Sequence, residues 1–512
     1  MDNKSVNNAF YNILSNFIKI AVVSIVTFSI TGILVRELGD ELYGVVPLFT
    51  SINRYIGLVT TIFAASVGRF VSLSFFKERI DDANKYYSSS FFGLLLIAFI
   101  AFFLLYGFSF FIDVFFQFPR EALNEVKFFF MLSASALLIS SIVAPFNVAA
   151  FIRHSFYLTD IVSIISKLVQ IVVLLFLLGH ITLIWFGFSL LGSALVTLIL
   201  TYFISTRLLP NLSVKLRNFS KVHLKEMSGM GINSLFNSLG ILFYTSSDII
   251  IINVLLGSVK SGHYGIAVQC GMIVTLVGGS ITRLLAPVLI QLIAKGNRGK
   301  IIDCINRYTR LITVFSALPF IVFMGFSEAI FGFWLGEGFE HLFLINIIVV
   351  FNQLLHQTTS LTFTYFNMRN KLRTPAIVTF FTGLCNIILS VTLVKYTELG
   401  IYGVALGTFI SIFFKTVIFN VVYAARLLEI SSFIIWKSVL KGLYWPLIFG
   451  FIVYVFFNFI SLDSILSLAI YIIASTIIFM IGALYLPLTF EDRMLLYRIL
   501  KLDSLKNKLL TK

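Results

Sequence analysis

The sequence predicts an all-α polytopic membrane protein of about fourteen transmembrane helices, built as two parallel six-helix lobes followed by two C-terminal helices. Three observations carry this expectation. Of the 512 residues, 59% are hydrophobic and 12% charged, whereas soluble domains hold about 45–50% apolar and about 25% charged residues. Apolar runs near the ~20 residues that a helix needs to cross a bilayer recur throughout. Lysine and arginine, finally, gather in alternate loops, as positive-inside topology requires.

Taken in order, the expected spans are 17–35, 45–67, 88–112, 127–151, 160–178, 182–206, 231–256, 263–292, 309–335, 342–366, 376–394, 400–424, 442–461 and 465–487. With the N-terminus placed inside, 29 of the 38 Lys and Arg residues fall in inside segments, five in outside loops and four within spans. The bias holds from loop to loop, which predicts an even number of spans and both termini in the cytoplasm. It also gives the net charge of +15 a topological explanation rather than a nucleic-acid partner. The outside loops are short and lean acidic, as in Glu37, Asp40 and Glu41.

The turn Leu38-Gly39-Asp40-Glu41-Leu42-Tyr43-Gly44 between spans one and two is echoed between spans seven and eight. There Leu256-Gly257 leads to Tyr264-Gly265. A looser echo, Leu399-Gly400-Ile401-Tyr402-Gly403, lies between spans eleven and twelve. Six spans separate the first two turns, so a duplicated unit would keep its orientation, a parallel repeat. The expected organisation is an N-lobe over 1–206, a basic linker over 207–230, a C-lobe over 231–424, two spans over 425–489 and a tail over 490–512. The linker interleaves Leu212, Val214, Leu216, Phe219 and Val222 with bases, a pattern for lying on anionic lipid. The tail spaces Leu495, Leu496, Ile499, Leu500, Leu505, Leu509 and Leu510 on roughly one helical face, as in an interfacial amphipathic helix, with a protein-docking helix as the alternative.

Charges inside spans are costly and are functional candidates. Arg54 lies near the middle of span two, Arg283 towards the cytoplasmic third of span eight, and Lys167 and Lys415 one to two turns from the cytoplasm, where snorkelling is the competing explanation. A water-filled cavity lined by Arg54 and Arg283, with Lys167 as a further base, suits a phosphate, because arginine offers its oxygens a fixed bidentate fork. Asp248, well inside span seven, fits ion coupling or structural pairing. It lies at a depth about 15 Å from that of Arg283 at 1.5 Å per residue, which argues against a direct ion pair. Asp160 and Glu328 sit near span ends, in reach of headgroup water, and His263 reads as a loop residue. Asn352, Gln353 and His356 in span ten can hydrogen-bond between helices or contact sugar hydroxyls. The serines of span four, Ser133, Ser135, Ser140 and Ser141, read first as small residues that let helices pack closely.

Catalytic signatures are lacking. There is no GxxxxGK[ST] phosphate loop. Cys270, Cys304 and Cys385 lack metal-ligand or CxxC spacing, so neither a metal nor another cofactor is expected. Asp81-Asp82 reads as part of a solvated loop.

With this layout, SVGRFVS at 66–72, DDANKYYSSSF at 81–91, SSDIIIINVLLGSVKSGHYGIA at 246–267 and TRLLAPVL at 282–289 resemble one known group. It is the polysaccharide transporter branch of the multidrug/oligosaccharidyl-lipid/polysaccharide exporter superfamily, the Wzx-type flippases. The resemblance implies a flippase in the bacterial cytoplasmic (inner) membrane, not an enzyme. Its substrate would be an oligosaccharide on undecaprenyl pyrophosphate, such as an O-antigen, capsule or exopolysaccharide repeat unit. Two lobes would rock around a cationic cavity by alternating access. Partners would be the lipid-linked oligosaccharide, membrane lipids and other polysaccharide-assembly proteins. A lipid II flippase and a cation-coupled drug or metabolite exporter are the alternatives; span one holds no acid to bind a coupling cation, which separates the chain from the drug-exporting branch.

Overall fold

The computed structural model describes residues 3–229, 232–457, 459–460 and 464–499. Every regular element among them is helical. Twelve helices are long and apolar enough to cross a membrane, thirteen if the bent pair Phe236–Thr245 and Ser247–Leu256 is one span. The expected span 45–67 falls on a continuous 32-residue helix, Val45–Phe76. The chain is a multi-pass membrane protein. Large apolar side chains such as Phe99, Leu104 and Phe176 face outwards at 61%, 68% and 86% exposure, while Ser88, Ser89, Ser90, Asn346 and Asn386 are fully buried. That is the distribution a hydrocarbon solvent selects, with interior polar groups bonding helix to helix.

Two compact units divide the chain at His263 and Tyr264. In the first, helix Leu123–Ile142 packs along Leu183–Leu208, Asn3–Tyr43 along Phe156–Phe176, and Val45–Phe76 along Ile80–Ser109. Pro145 cannot donate a backbone hydrogen bond, and the chain breaks before it into Leu123–Ile142 and Ala144–Ile152. In the second unit, helix Arg298–Trp334 is central. It packs on Ser432–Phe457, Phe343–Thr358 and Ile465–Tyr485. A π-helical segment, Phe413–Asn420, buries Lys415 at 9% exposure, so this lysine does not snorkel.

The echoed turns share a backbone conformation. Gly39 (φ 72°, ψ 168°) and Gly257 (φ 91°, ψ 177°) take nearly the same left-handed φ with extended ψ, which glycine adopts without a Cβ penalty. Gly400 differs, at φ 53° and ψ −127°. The two turns also touch. Ser258 Oγ donates to the Glu41 carbonyl at 2.6 Å, and Ser261 Oγ to the Gly44 carbonyl at 3.2 Å. His263 is buried rather than in a loop, with Nε2 3.3 Å from Asp40 Oδ2. A Cβ on Gly44 would lie 2.0 Å from the Ser258 carbonyl oxygen, a backbone atom that no rotamer change can remove. Gly44→Ala is therefore expected to lower thermal stability by about 1–3 kcal/mol through overpacking. Gly68→Ala, where a Cβ meets nothing within 4 Å, is the control. Equal melting temperatures for the two variants would refute the close-packing account.

The linker does not lie free on lipid as its pattern suggested. Leu209, Leu212 and Met227 are buried in a cluster with Val67, Val71, Tyr87 and Phe146. Its backbone is strapped to helix Ile80–Ser109: the Ser213 amide donates to Asn84 Oδ1 at 2.9 Å and the Ser220 amide to Ser89 Oγ at 2.8 Å. Leu216 and Val222 remain exposed at 72% and 65%. Asp160 likewise is buried in the protein rather than exposed to headgroup water. It pairs with Lys19 and accepts from Ser15 Oγ at 2.8 Å. Of the tail, helix Phe490–Ile499 is described, and Leu500, Leu505, Leu509 and Leu510 lie outside the described residues.

Candidate functional site

Within the first unit, the helices enclose a cavity of about 1020 Å³. That is at the upper end of the range for ligand pockets. Among the described residues, its lining holds two bases, Arg54 and Lys167, and no acid. Arg54 reaches it from Val45–Phe76 and is half-buried. Lys167 reaches it from Phe156–Phe176, with Nζ donating to Gln170 Oε1 at 2.6 Å. A buried glutamine oxygen orients the ammonium without neutralising it, so the cavity keeps its positive charge.

The remaining polar lining comes from several helices. On Phe156–Phe176, Ser166, Lys167 and Gln170 lie three, four and seven positions after Ser163, a polar stripe on a largely apolar helix. That stripe was present in the sequence, but only Lys167 stood out there because it is charged. Across from it, Asn53 Nδ2 donates to Ser133 Oγ at 3.3 Å. Ser140 and Ser141 also line the cavity while donating back to Ala136 and Leu137 carbonyls at 2.8 and 2.9 Å. Their donors are thus spent on the helix and their lone pairs remain for a ligand. Thr50, Asn147, Ser193, Thr197 and Ser238 add to the polar surface; single polar residues in apolar spans carry no periodic signal that would have marked them.

The other sequence candidates lie elsewhere. Arg283 is on helix Ser258–Ala294 in the second unit, is exposed, and is not in this lining. Asp248 is buried at 3% exposure, in the first turn of Ser247–Leu256. The span it belongs to bends by 43° immediately before it. Tyr55 braces the bend, its hydroxyl 2.6 Å from Ser247 Oγ and donating to the Leu242 carbonyl at 3.0 Å. The acid therefore sits at a helix N-terminus, where the backbone dipole favours negative charge. Sequence periodicity does not reveal such a break. In the second unit, Asn352 donates to the Ala405 carbonyl at 3.1 Å and is buried between helices. Gln353 accepts from Thr275 at 3.1 Å, and His356 is half-buried beside Gln357 at 3.5 Å.

The profile of one protein family, described as polysaccharide biosynthesis protein, matches residues 5–293, more than half of the chain. The chain belongs to the polysaccharide biosynthesis protein family. The uncharacterised membrane protein EpsK of Bacillus subtilis strain 168 is 27% identical over 482 residues, covering 91% of this chain and 93% of EpsK. Among solved structures, the lipid II flippase MurJ in an inward closed conformation is similar with a TM-score of 0.65 at 15% identity. That match covers 94% of this chain and 99% of the flippase. An inward-facing multidrug resistance MATE family transporter of the MOP superfamily reaches 0.64, also at 15% identity, over 81% of this chain and 98% of the transporter. This family member therefore has the fold of the multidrug/oligosaccharidyl-lipid/polysaccharide exporter superfamily, as the sequence resemblance implied.

Proposed function

We propose that this protein is a flippase that carries an oligosaccharide linked to undecaprenyl pyrophosphate from the inner to the outer leaflet. The observation that carries the reading is the cavity of the first unit, whose described lining holds no acid and offers Arg54 and Lys167 for a pyrophosphate and serine, asparagine and threonine groups for sugar hydroxyls. An arginine fork and an ammonium together match a doubly charged, oxygen-rich group better than a lipophilic cation. Membership of a polysaccharide biosynthesis family points to the same substrate class.

On this reading, Arg283 is a candidate phosphate-binding base of the second unit, and Gln353 and His356 are its candidate sugar contacts. Asn352, committed to Ala405, holds helices together instead. Asp248 at its helix N-terminus serves as a fixed structural charge or a coupling-ion ligand. Two repeated lobes, with both chain ends in the cytoplasm, provide alternating access. The protein moves its substrate without altering a covalent bond.

Lipid II is the second reading, favoured by the likeness to MurJ over 94% of the chain. Depletion of the protein, followed by analysis of lipid-linked intermediates, separates the two. Accumulation of an undecaprenyl-pyrophosphate oligosaccharide facing the cytoplasm is expected. Accumulation of lipid II instead supports the second reading, and an unchanged pool of both excludes flipping.

A further inference from the structure

The second unit has a separate basic pocket of about 570 Å³ at the end where helix Phe490–Ile499 closes over helices Arg298–Trp334 and Ser432–Phe457. Four bases line it: Arg307, Arg310, Lys437 and Lys441. The two arginines are already answered. Arg310 is buried in a bidentate pair with Asp492, and Arg307 pairs with Glu491. Lys437 and Lys441 are different. They are exposed, one helical turn apart on the same wall, and form no ion pair among the described residues. The exposed acid Asp303 lines the pocket as well. Counting it with Glu491 and Asp492, the pocket is left with one positive charge in excess, which a single phosphodiester neutralises.

The apolar rim indicates what carries that phosphodiester. Phe433, Ile434 and Phe490 line the same pocket and are exposed at 68%, 42% and 55%. A soluble anion gains nothing from them, whereas acyl chains lie against such side chains while the headgroup meets the lysines. The Lys/Arg bias assigns this end to the cytoplasmic face, where basic pockets between helices meet anionic lipid. We propose that this pocket binds the headgroup of an anionic phospholipid of the cytoplasmic leaflet, with Lys437 and Lys441 on the phosphodiester and Phe433 and Phe490 beside the acyl chains. The bound lipid fastens the closing helix to the spans beneath it. This site is separate from the cavity of the first unit and stands whether or not that cavity carries a lipid-linked glycan.

The test uses the full-length protein in mixed micelles titrated with phosphatidylglycerol, with phosphatidylcholine and inorganic phosphate as parallel probes, read by native mass spectrometry and thermal shift. Phosphatidylglycerol is expected to bind and raise the melting temperature, and phosphatidylcholine to do neither. Lys437→Gln with Lys441→Gln should weaken phosphatidylglycerol binding about tenfold, and Lys437→Arg with Lys441→Arg should retain it. Lys221→Gln with Lys225→Gln, removing two exposed bases from helix Lys221–Gly229, should leave it unchanged. Equal weakening by both glutamine pairs, binding of phosphatidylcholine as tight as phosphatidylglycerol, or full reproduction of the thermal shift by inorganic phosphate would each overturn the proposal.

Discussion

Replacing Arg54 and Lys167 together by alanine is expected to reduce surface glycan at least 100-fold while leaving the protein's abundance unchanged. The reasoning is electrostatic. Both side chains line a cavity whose wall, among the described residues, holds no acid, so that wall presents net positive charge to an anionic ligand. A hydrogen bond to a charged group contributes about 1.5–3 kcal/mol, so two lost contacts weaken binding by about 3–6 kcal/mol, or about two to four orders of magnitude. The fold should survive, because each residue is half-buried at a cavity wall rather than packed in the core. The single variants rank the two groups. Arg54→Lys keeps the charge but loses the bidentate fork, so an intermediate level is expected. Lys167→Ala leaves Gln170 in place as a hydrogen-bonding wall and should be milder than Arg54→Ala. Glycan at the cell surface and protein in the membrane fraction are measured in a strain that depends on the plasmid copy. Full complementation by the double variant would remove this cavity from the transport path.

Asp492→Ala is expected to have the largest effect on stability. Asp492 is fully buried and Arg310 nearly so, at 0% and 8% exposure. Arg310 Nε and Nη2 donate to the two carboxylate oxygens at 2.8 and 2.9 Å, and Nη1 reaches Ser438 Oγ at 3.3 Å. The same carboxylate caps its own helix: the Thr489 amide donates to Asp492 Oδ2 at 2.9 Å, and the Asp492 amide to Thr489 Oγ1 at 3.4 Å. This is a capping box with Asp in the third helical position. Truncation strands a buried guanidinium, at a cost of about 3–5 kcal/mol, and removes the cap, at a further ~1 kcal/mol. A double replacement, Arg310→Met with Asp492→Leu, removes both charges and should recover most of the loss, since a buried pair and a well-packed apolar pair are often close in stability. Melting temperatures at a fixed scan rate in one detergent compare the variants. An Asp492→Ala protein that melts with the wild type, or a double variant worse than the single, would count against the pair as the lock on the closing helix.

The sequence by itself determined the class of molecule, the approximate spans and the family. These follow from properties that add along the chain: apolar run length, the Lys/Arg alternation and turn chemistry. The matched conformation of Gly39 and Gly257 shows how local the repeat signal is, because a left-handed glycine is needed wherever that turn recurs. Charge in an apolar span was equally legible, and it marked Arg54 and Lys167 before any packing was known.

Tertiary structure alone decided which polar residues share a space. Arg54 and Lys167 stand 113 positions apart in the chain yet line one cavity. Asn352 has the same composition of neighbours as Gln353 but is consumed by a carbonyl of another helix. The local sequence of Asp160 and of the linker carries a water- or lipid-facing pattern because their partners, Lys19 and helix Ile80–Ser109, are remote in the chain. Helix periodicity fixes which residues share a face of one helix. Which face meets a cavity, a neighbour or lipid depends on how the helices pack around one another, and that information is held by residue pairs far apart in the chain.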